Sequence, residues 1–373
     1  MNKNYFIILW ENPLSYYFLT ELIIEIRKKY NVYLFYLENI KETKLNLENF
    51  KRLKKIKISR INKTGTYIDK LIYIYFILKI LFLIIIKRPK FIHMINRYAF
   101  IPNIIYNLFS KAKKIYHNLD YNLPKDHYQR VLNYLENISL RFCDILIVSH
   151  PKRLKFFRKK KKLIKVYFYN CLSLKSLNNS KIKKVKKKNK INKIFYFGSI
   201  GPGHSLDTLI KSMSFLDNSF FLSINGWITD KKYFLLIKEL ITKYSKENNI
   251  KLNMDVTNKF WKKEINSADI GIALYEPRNI SHKFMIGASQ KINIFLAYGL
   301  PILTSNSTDF LEFEKKYKCS KSVNISNPLS IARGIKFLLN KKVQKNTRHF
   351  TKIAFKNEFN FEKQFYTFQN LIY

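Results

Sequence analysis

Short apolar runs alternate with longer segments of helical period along nearly the whole chain of 373 residues. Runs such as residues 5–10 and 91–95 have the length of buried strands, whereas residues 67–86 and 127–141 have the length and period of helices. Strands that alternate with helices are typical of parallel sheets covered by helices. The pattern therefore predicts an α/β protein.

The same alternation occurs twice, on either side of a polar segment. In the first half, the predicted strands are residues 5–10, 32–37, 56–61, 91–95, 114–118, 145–149 and 166–169, with helices at 15–30, 67–86 and 127–141. In the second half, they are residues 194–197, 220–224, 251–254, 270–274 and 301–304, with helices from about 206, 231, 258 and 290 and further helices at the end. Two doubly wound domains are therefore expected.

The polar segment at residues 174–190 combines Ser, Asn and a Lys run with almost no core-forming residues, which indicates an exposed linker. The predicted division is an N-terminal domain at 1–173, a basic linker at 174–192 and a second domain at 193–358. Residues 359–373 are expected to form a helix that returns to the first domain.

Composition excludes extensive disorder, because 47% of the residues are hydrophobic and 16% are aromatic. The formal net charge of +44 fits nucleic acid, an anionic membrane or a phosphate-rich substrate, and it also fits the Lys- and Asn-rich composition of an AT-rich coding sequence. The three widely spaced cysteines argue against a disulfide framework or a zinc site and favour a reducing cytosol. No secretion signal is expected at the N-terminus.

One segment, residues 71–86, is apolar enough to be considered as a membrane span. It is short for a bilayer of about 30 Å, and Lys79 interrupts it. A buried or interfacial helix is therefore favoured over a span.

The positions of the glycines suggest where a ligand binds, because eight of the nine lie beyond residue 190. Gly198, Gly201 and Gly203 follow a predicted strand and precede a helix, where backbone N–H groups would cradle a diphosphate and His204 would add a donor. A tight connection between strand and helix would use the same glycines.

A second polar group follows the strand at 270–274. Tyr275 and Glu276 end that strand, and Ser289, Gln290 and Lys291 begin the next long helix. Such a loop at the carboxyl end of a parallel strand is where a doubly wound sheet binds its ligand. The functional interpretation is favoured here.

These segments resemble a known family when they are taken together. Residues 198–210, Gly226, 268–272 and 289–303 follow in order the motifs of the nucleotide-sugar-binding domain of GT-B glycosyltransferases, of the family 4/group 1-like type found in bacterial surface-polysaccharide synthesis. In the first half, residues 87–93, 114–120, Glu136 and 141–149 resemble that family's acceptor domain more loosely. The resemblance implies two Rossmann-like domains that face each other across a cleft.

The resemblance also implies roles for particular residues. The donor's diphosphate would be held by the Gly198–Gly203 loop, His204, Lys283 and Lys291, and the acceptor hydroxyl would lose its proton to His117, Asp120 or Glu11. GT-B enzymes as a class need neither a metal ion nor a cofactor. His93 is expected to be a core residue.

The chain departs from the family where many members carry two glutamates eight residues apart. The second of these glutamates holds the donor's ribose, but Ile286 and Ile294 occupy the two positions here. Ribose contact is expected from Asn293 or Glu276 instead. The departure leaves the donor's binding mode and the stereochemical outcome open.

The predicted function is transfer of a sugar from a nucleoside-diphosphate donor to a glycan, on a polyprenyl-diphosphate lipid, at the cytoplasmic face of a membrane. The basic runs at 158–162 and 181–190 are either solvated surface or contacts to an anionic leaflet. Nucleic acid is not the expected partner. The alternatives are a sugar-nucleotide epimerase of the same fold and a basic binding protein without enzymatic activity.

Overall fold

The structure, a computed structural model, describes residues 3–13, 16–39, 52–60, 67–121, 124, 126–157, 162–175, 191–245, 249–254, 258–277 and 280–373. The chain divides into two compact units. The first contains Met1–Asn170 and Phe365–Tyr373, and the second contains Cys171–Gln364. The predicted linker at 174–192 and both basic runs lie largely outside the described residues, so the domain limits taken from the sequence stay predictions.

The first unit is built on a seven-stranded parallel sheet in the order β3-β2-β1-β4-β5-β6-β7. Its strands are β1 (Asn4–Leu9), β2 (Asn31–Asn39), β3 (Leu53–Arg60), β4 (Phe91–Ile95), β5 (Lys113–Asn118), β6 (Ile145–Val148) and β7 (Ile164–Tyr167).

The two central strands, β1 and β4, pair in the register Tyr5 to Phe91 through Leu9 to Ile95. All of these ten residues are buried, as expected of strands that are covered on both faces.

Helices cover this sheet. They are α1 (Tyr17–Ile26), α2 (Tyr67–Lys87), α3 (Asn96–Phe100), α4 (Asn103–Phe109) and α5 (His127–Ser139), followed by 3₁₀ turns at Leu140–Phe142 and Pro151–Phe156. Helix α2 packs only one side into the core, through Phe76, Ile80 and Ile84. Helix α5 begins where the Asp126 carboxylate accepts a hydrogen bond from the Gln129 backbone N–H.

The second unit is built on a six-stranded parallel sheet in the order β10-β9-β8-β11-β12-β13. Its strands are β8 (Asn192–Ile200), β9 (Phe220–Ile228), β10 (Ile250–Asn253), β11 (Ile270–Ala273), β12 (Ile302–Ser305) and β13 (Ser320–Val323). Its helices are α6 (Leu206–Ser212), α7 (Lys231–Tyr244), α8 (Asn258–Ser267), α9 (Ile280–Lys283), α10 (Gln290–Ala297), α11 (Thr308–Tyr317), α12 (Pro328–Leu339) and α13 (Lys341–Asn357), with 3₁₀ turns at Pro202–His204 and Met213–Phe215.

The last helix, α14 (Phe361–Ile372), starts in the second unit and ends in the first. Within the first unit, the Phe368 ring lies 5.7 Å from the His93 ring, and the Tyr30 hydroxyl donates to the Ile372 carbonyl at 2.5 Å. The end of α14 is therefore part of the first unit's core.

The fold class predicted from the sequence is confirmed, since each unit is a parallel sheet covered by helices. Two details differ. Strand β8 was expected to end at residue 197 but continues to Ile200, because Gly198, Ser199 and Ile200 still pair with β9. Strand β13 and the short helices α3 and α4 were not predicted from the sequence.

Among the described residues, no helix is both long enough and apolar enough to cross a membrane. Helix α2 contains the segment that raised this possibility. Its inward face is part of the first unit's core, in agreement with the favoured interpretation of a helix that does not span.

Candidate functional site

The second sheet has a switch point between β8 and β11. From β8 the chain adds β9 and β10 on one side, whereas β11 is followed by β12 and β13 on the other. In open parallel sheets, ligands bind outside the carboxyl ends of the strands at such a point. The segment after β8 begins at Gly201 and the segment after β11 contains Tyr275 and Glu276, and the Glu276 backbone N–H donates to the Gly203 carbonyl at 3.1 Å.

Lys291, in the first turn of α10, is the central charged group at this point. Its side chain is buried, and Nζ lies 3.9 Å from the centroid of the Tyr196 ring and 5.2 Å from that of Tyr275. No described residue provides a hydrogen-bond partner for Nζ. Burial lowers the pKa of Lys291 to about 7. The ammonium group therefore lacks the anion that would stabilise its charge.

His204 lies close by and is held by its neighbours. Its Nε2 lies 2.6 Å from the Ser199 hydroxyl, and its ring lies 5.3 Å from that of Tyr275 and 5.6 Å from that of His282. Burial, together with the charges of Lys291 and His282, lowers the pKa of His204 to about 2. At neutral pH the ring is therefore an uncharged donor and acceptor.

The glycines leave room where side chains would collide. Gly198 has φ of +142°, and a Cβ there would lie 3.1 Å from Cε and 3.3 Å from Nζ of Lys291. A Cβ at Gly226, on the neighbouring strand, would lie 2.0 Å from the Gly198 carbonyl oxygen. Cβ atoms at Gly201 and Gly203 would lie 2.4 and 2.6 Å from side-chain atoms. The glycines thus keep the backbone close to the lysine.

Tyr275 is fixed by two serines. Its hydroxyl lies 2.6 Å from the Ser289 hydroxyl, and its backbone N–H donates to the Ser305 hydroxyl at 2.7 Å. Ser289 also caps α10, since its hydroxyl accepts from the Ile292 N–H at 3.2 Å. Burial raises the pKa of Tyr275 to about 12, although the Ser289 hydrogen bond lowers it.

The remaining predicted donor residues differ in exposure. Lys283 is exposed, whereas Glu276 and Gln290 are half-buried. Asn293 is buried, and its Nδ2 donates to the Gly287 carbonyl at 2.8 Å.

Ile286 and Ile294, which occupy the positions of the family's glutamates, are 6% and 2% exposed. Both belong to the apolar core of the second unit, so this part of the molecule presents no carboxylate at those two positions.

The first sheet has a switch point of its own, between β1 and β4. Glu11 follows β1 and Asn96 follows β4, and the Glu11 carboxylate accepts from Asn96 Nδ2 at 3.1 Å and from the Tyr16 hydroxyl. Asn96 Oδ1 also accepts from the Leu119 backbone N–H at 3.2 Å. Burial, aided by the charge of Asp120, raises the pKa of Glu11 against these hydrogen bonds. Asp120 itself is exposed.

The side chain of His117 is buried and is not exposed beside Glu11 and Asn96. Its side chain is 1% exposed, and its ring stacks on that of His93 at 5.6 Å and lies 5.0 Å from that of Phe18. Burial, and then the neighbouring His93, lowers the pKa of His117 well below its ordinary value. Neither ring nitrogen of His117 has a hydrogen-bond partner among the described residues. In this geometry His117 is a core residue, out of reach of a substrate bound at the surface.

Sequence reasoning missed several residues that the structure brings to these sites. Asn96 gave a usable signal, because it is the first polar residue after a buried strand. Tyr16, Tyr196 and His282 gave none, because nothing in the sequence distinguishes them among the 25 tyrosines and seven histidines of the chain.

A buried ion pair was also missed. The sequence motif places Glu136 on a helix but does not predict its partners: the Glu136 carboxylate accepts from Arg97 Nε at 2.6 Å and from the Tyr116 hydroxyl. Arg97 follows Asn96 in α3 and Glu136 lies in α5, so the ion pair connects these two helices.

No group of three or more His, Cys, Asp or Glu side chains in the described part of the chain could hold a metal ion. The metal independence implied by the resemblance stays a prediction.

No protein-family model and no curated protein matches this sequence. Solved structures match nearly its full length. HepE from Anabaena, in complex with UDP and glucose, has a TM-score of 0.73 at 12% identity, over 100% of this chain and 99% of that one. Sucrose-phosphate synthase from Thermosynechococcus elongatus has a TM-score of 0.70 at 12% identity, over 99% and 98%.

An α,α-trehalose-phosphate synthase (UDP-forming) from Burkholderia vietnamiensis has a TM-score of 0.71 at 7% identity, over 99% and 97% of the two chains. These structures are GT-B glycosyltransferases, and together with the two parallel sheets they show that this chain has the GT-B fold.

Proposed function

We propose that this protein is a glycosyltransferase that moves a sugar from a nucleoside-diphosphate donor to a glycan acceptor. The observation that carries the proposal is the buried Lys291 ammonium group, which has no anion beside it and lies against the glycine backbone at the switch point of the second sheet. HepE, a structural neighbour, was solved with UDP-glucose, which makes a UDP-sugar the first donor to test.

A diphosphate at this point would stabilise the charged form of Lys291, since an anion near an ammonium group raises its pKa. The neutral His204 would donate a hydrogen bond without adding charge. As the bond between sugar and phosphate breaks, negative charge accumulates on the departing diphosphate, and both groups would stabilise it. Tyr275, held by Ser289, keeps the lysine in place.

Glu276 is the better candidate for ribose contact. Asn293, the other candidate, already donates to the Gly287 carbonyl and is buried. Glu276 is half-buried and lies three residues after the end of β11, on the carboxyl side of the sheet where a ligand is expected, and a carboxylate accepts hydrogen bonds from ribose hydroxyls. Lys283 and Gln290 would contact outer parts of the donor.

For the acceptor, we propose Glu11 as the group that removes the hydroxyl proton, with Asp120 beside it. Burial raises the pKa of Glu11 towards the operating pH, which favours a general base. Tyr16 and Asn96 both donate to the Glu11 carboxylate and hold it in one orientation. His117 is not part of this proposal.

The finer context is also proposed. The acceptor would be a glycan on a polyprenyl-diphosphate lipid in bacterial surface-polysaccharide synthesis, and the enzyme would work without a metal ion while attached peripherally to the cytoplasmic face of an anionic membrane. The high net positive charge supports the membrane association.

The test is calorimetric binding of UDP-, GDP-, dTDP- and CMP-sugars to the full chain, to Lys291→Met and to Lys232→Met, which removes an exposed lysine of α7. One nucleotide sugar should bind the wild type and Lys232→Met alike. Lys291→Met should lose at least about tenfold in affinity, as expected for a lost charge-assisted contact.

Three results would contradict the proposal. Equal affinity in Lys291→Met would remove the lysine from the donor site. Conversion of the bound nucleotide sugar to its epimer without any acceptor would indicate an epimerase. Absence of binding for every nucleotide sugar would favour a basic binding protein without enzymatic activity.

A further inference from the structure

Helix α2 presents a continuous apolar stripe to solvent. Leu71, Ile74, Tyr75, Leu78, Phe82 and Ile85, here called the α2 stripe, have exposed fractions between 48% and 62%. At 3.6 residues per turn they share one face, opposite the buried Phe76, Ile80 and Ile84. Soluble surfaces rarely expose so many large apolar side chains together.

Cations border this stripe. Lys70 and Lys79 lie on α2 at its two edges, and each ammonium group lies over a tyrosine of the same helix, at 5.8 Å from the Tyr67 ring and 5.5 Å from the Tyr75 ring. An apolar face with lysines at its borders is the pattern of helices that lie in a membrane interface.

The stripe leads into a cationic cavity at its carboxyl end. The cavity has a volume of about 630 Å³, and Ile85 of the stripe is part of its wall, together with Phe109 of α4. Four further lining residues are cations, Arg88, Lys90, Lys111 and Lys113. All four are exposed, and none forms an ion pair with another described residue.

The inward face of α2, opposite the stripe, contacts the residue that precedes Glu11. The Trp10 ring, directly before Glu11, lies 4.9 Å from that of Tyr73 and 5.0 Å from that of Phe76 on α2. Helix α2 is about 30 Å long, at 1.5 Å per residue. The stripe therefore runs along the outer face of a helix whose inner face packs against Trp10.

We propose that the α2 stripe and its cavity form a docking surface for an anionic phospholipid bilayer. The helix lies flat in the interface, the stripe contacts acyl chains, and the cavity receives a lipid phosphate. The inference rests on the proposed membrane association and assigns it to particular residues.

Other occupants fit less well. Nucleic acid would use the cations but would leave the aliphatic part of the stripe without a partner. A two-fold contact with a second copy would bring the cationic borders of two stripes together, which like-charge repulsion disfavours. A bilayer with anionic headgroups satisfies both the apolar and the charged part.

The experiment measures flotation of the full chain with phosphatidylcholine vesicles that contain or lack phosphatidylglycerol. The wild type should bind the anionic vesicles, and Leu78→Glu/Phe82→Glu should weaken this binding about tenfold or more. Arg88→Ala/Lys111→Ala should weaken it about fivefold for each charge removed while leaving the weak binding to neutral vesicles unchanged.

The matched control is Leu235→Glu/Leu236→Glu, which alters two exposed leucines of α7 in the second unit and should bind like the wild type. Melting curves of all variants report on folding, and nucleotide-sugar calorimetry without vesicles reports separately on the donor site. A failed donor site would thus be distinguished from a failed docking surface.

Equal vesicle binding by Leu78→Glu/Phe82→Glu and the wild type would overturn the proposal in favour of general electrostatic adhesion. A dimer in sedimentation velocity that the same variant dissociates, without vesicle binding by the wild type, would identify the stripe as a contact between two copies. Binding of duplex DNA in preference to anionic vesicles would also overturn it.

Discussion

Lys291 is a single buried basic group that the folded protein holds at a cost in stability. Its ammonium group is removed from water, and no described residue accepts a hydrogen bond from it. Burial without a partner disfavours the charged form, which is why the pKa falls to about 7. The folded state therefore binds fewer protons than the unfolded chain between about pH 7 and the ordinary pKa of 10.5.

This difference predicts a pH dependence of stability. Because the unfolded chain binds more protons in that window, the free energy of unfolding of the wild type should rise with pH from about 7 to about 10, relative to Lys291→Met. Urea unfolding of both proteins across this range measures it. Parallel profiles for the two proteins would show that the buried lysine does not titrate as described.

The stacked pair His93 and His117 predicts a slope of the same sign at lower pH. Burial lowers both pKa values, to about 3 for His93, so below pH 6.5 the unfolded chain takes up protons that the folded state excludes. Stability should fall as the pH falls below 6.5, and His117→Phe should reduce the slope by up to about 1.4 kcal/mol per pH unit.

Urea unfolding between pH 4 and 7 checks this expectation, with His127→Phe, at an exposed position on α5, as the control. A slope that His117→Phe and His127→Phe change by the same amount would contradict the explanation by burial.

At the residue scale, the sequence indicated which residues lie near the switch point of the second sheet, between β8 and β11. It did not indicate how deeply they are buried. Gly198, His204 and Lys291 were expected there because glycines and polar residues follow buried strands. The depth of His117 was not predictable in the same way, since its burial depends on Phe18 and Phe168, which precede and follow it by many residues.

Among the elements, the pair β8 and β9 depends on two glycines that face each other. A methyl group at Gly226 would lie 2.0 Å from the Gly198 carbonyl oxygen, a backbone atom that can move only with its strand. Gly226→Ala should therefore lower the free energy of unfolding by about 1–3 kcal/mol and weaken nucleotide-sugar binding as well.

Gly203→Ala provides the comparison, because its methyl group would meet only the side chain of His282, at 2.6 Å from Cε1. That side chain can rotate, so the loss in stability should be smaller. Urea unfolding of both variants measures the two losses. A larger loss in the free energy of unfolding for Gly203→Ala than for Gly226→Ala would contradict this explanation.

Strand β13 shows why some elements were missed. Its sequence, Ser-Lys-Ser-Val, is short and largely polar, and it lies at the edge of the sheet, where one side of the strand has no neighbour. Edge strands do not need the apolar run that reveals a central strand such as β4. Its position becomes evident only from pairing with β12.

At the scale of the whole molecule, helix α14 contributes buried side chains to the first unit. Phe368 is 1% exposed, and its ring lies 5.7 Å from His93 and 6.3 Å from Phe168. Phe368→Ala should lower the free energy of unfolding by about 3–5 kcal/mol through the cavity that it leaves.

Tyr366→Ala is the matched control for this change, since Tyr366 lies in the same helix and is 64% exposed. Urea unfolding followed by circular dichroism should show little change for that variant. Equal losses in the two variants would mean that helix α14 does not contribute its aromatic face to the first unit.

The contact between the first and last residues of this unit has a consequence for synthesis in the cell. Strand β1 and its neighbours are translated before the second unit, but Phe368 and the hydrogen bond from Tyr30 to Ile372 become available only after the second unit has been translated. The nascent first half must therefore wait, with part of its apolar core uncovered, while the entire second unit is made. The half that is translated first is completed last. In that interval its uncovered apolar core is a surface that chaperones bind.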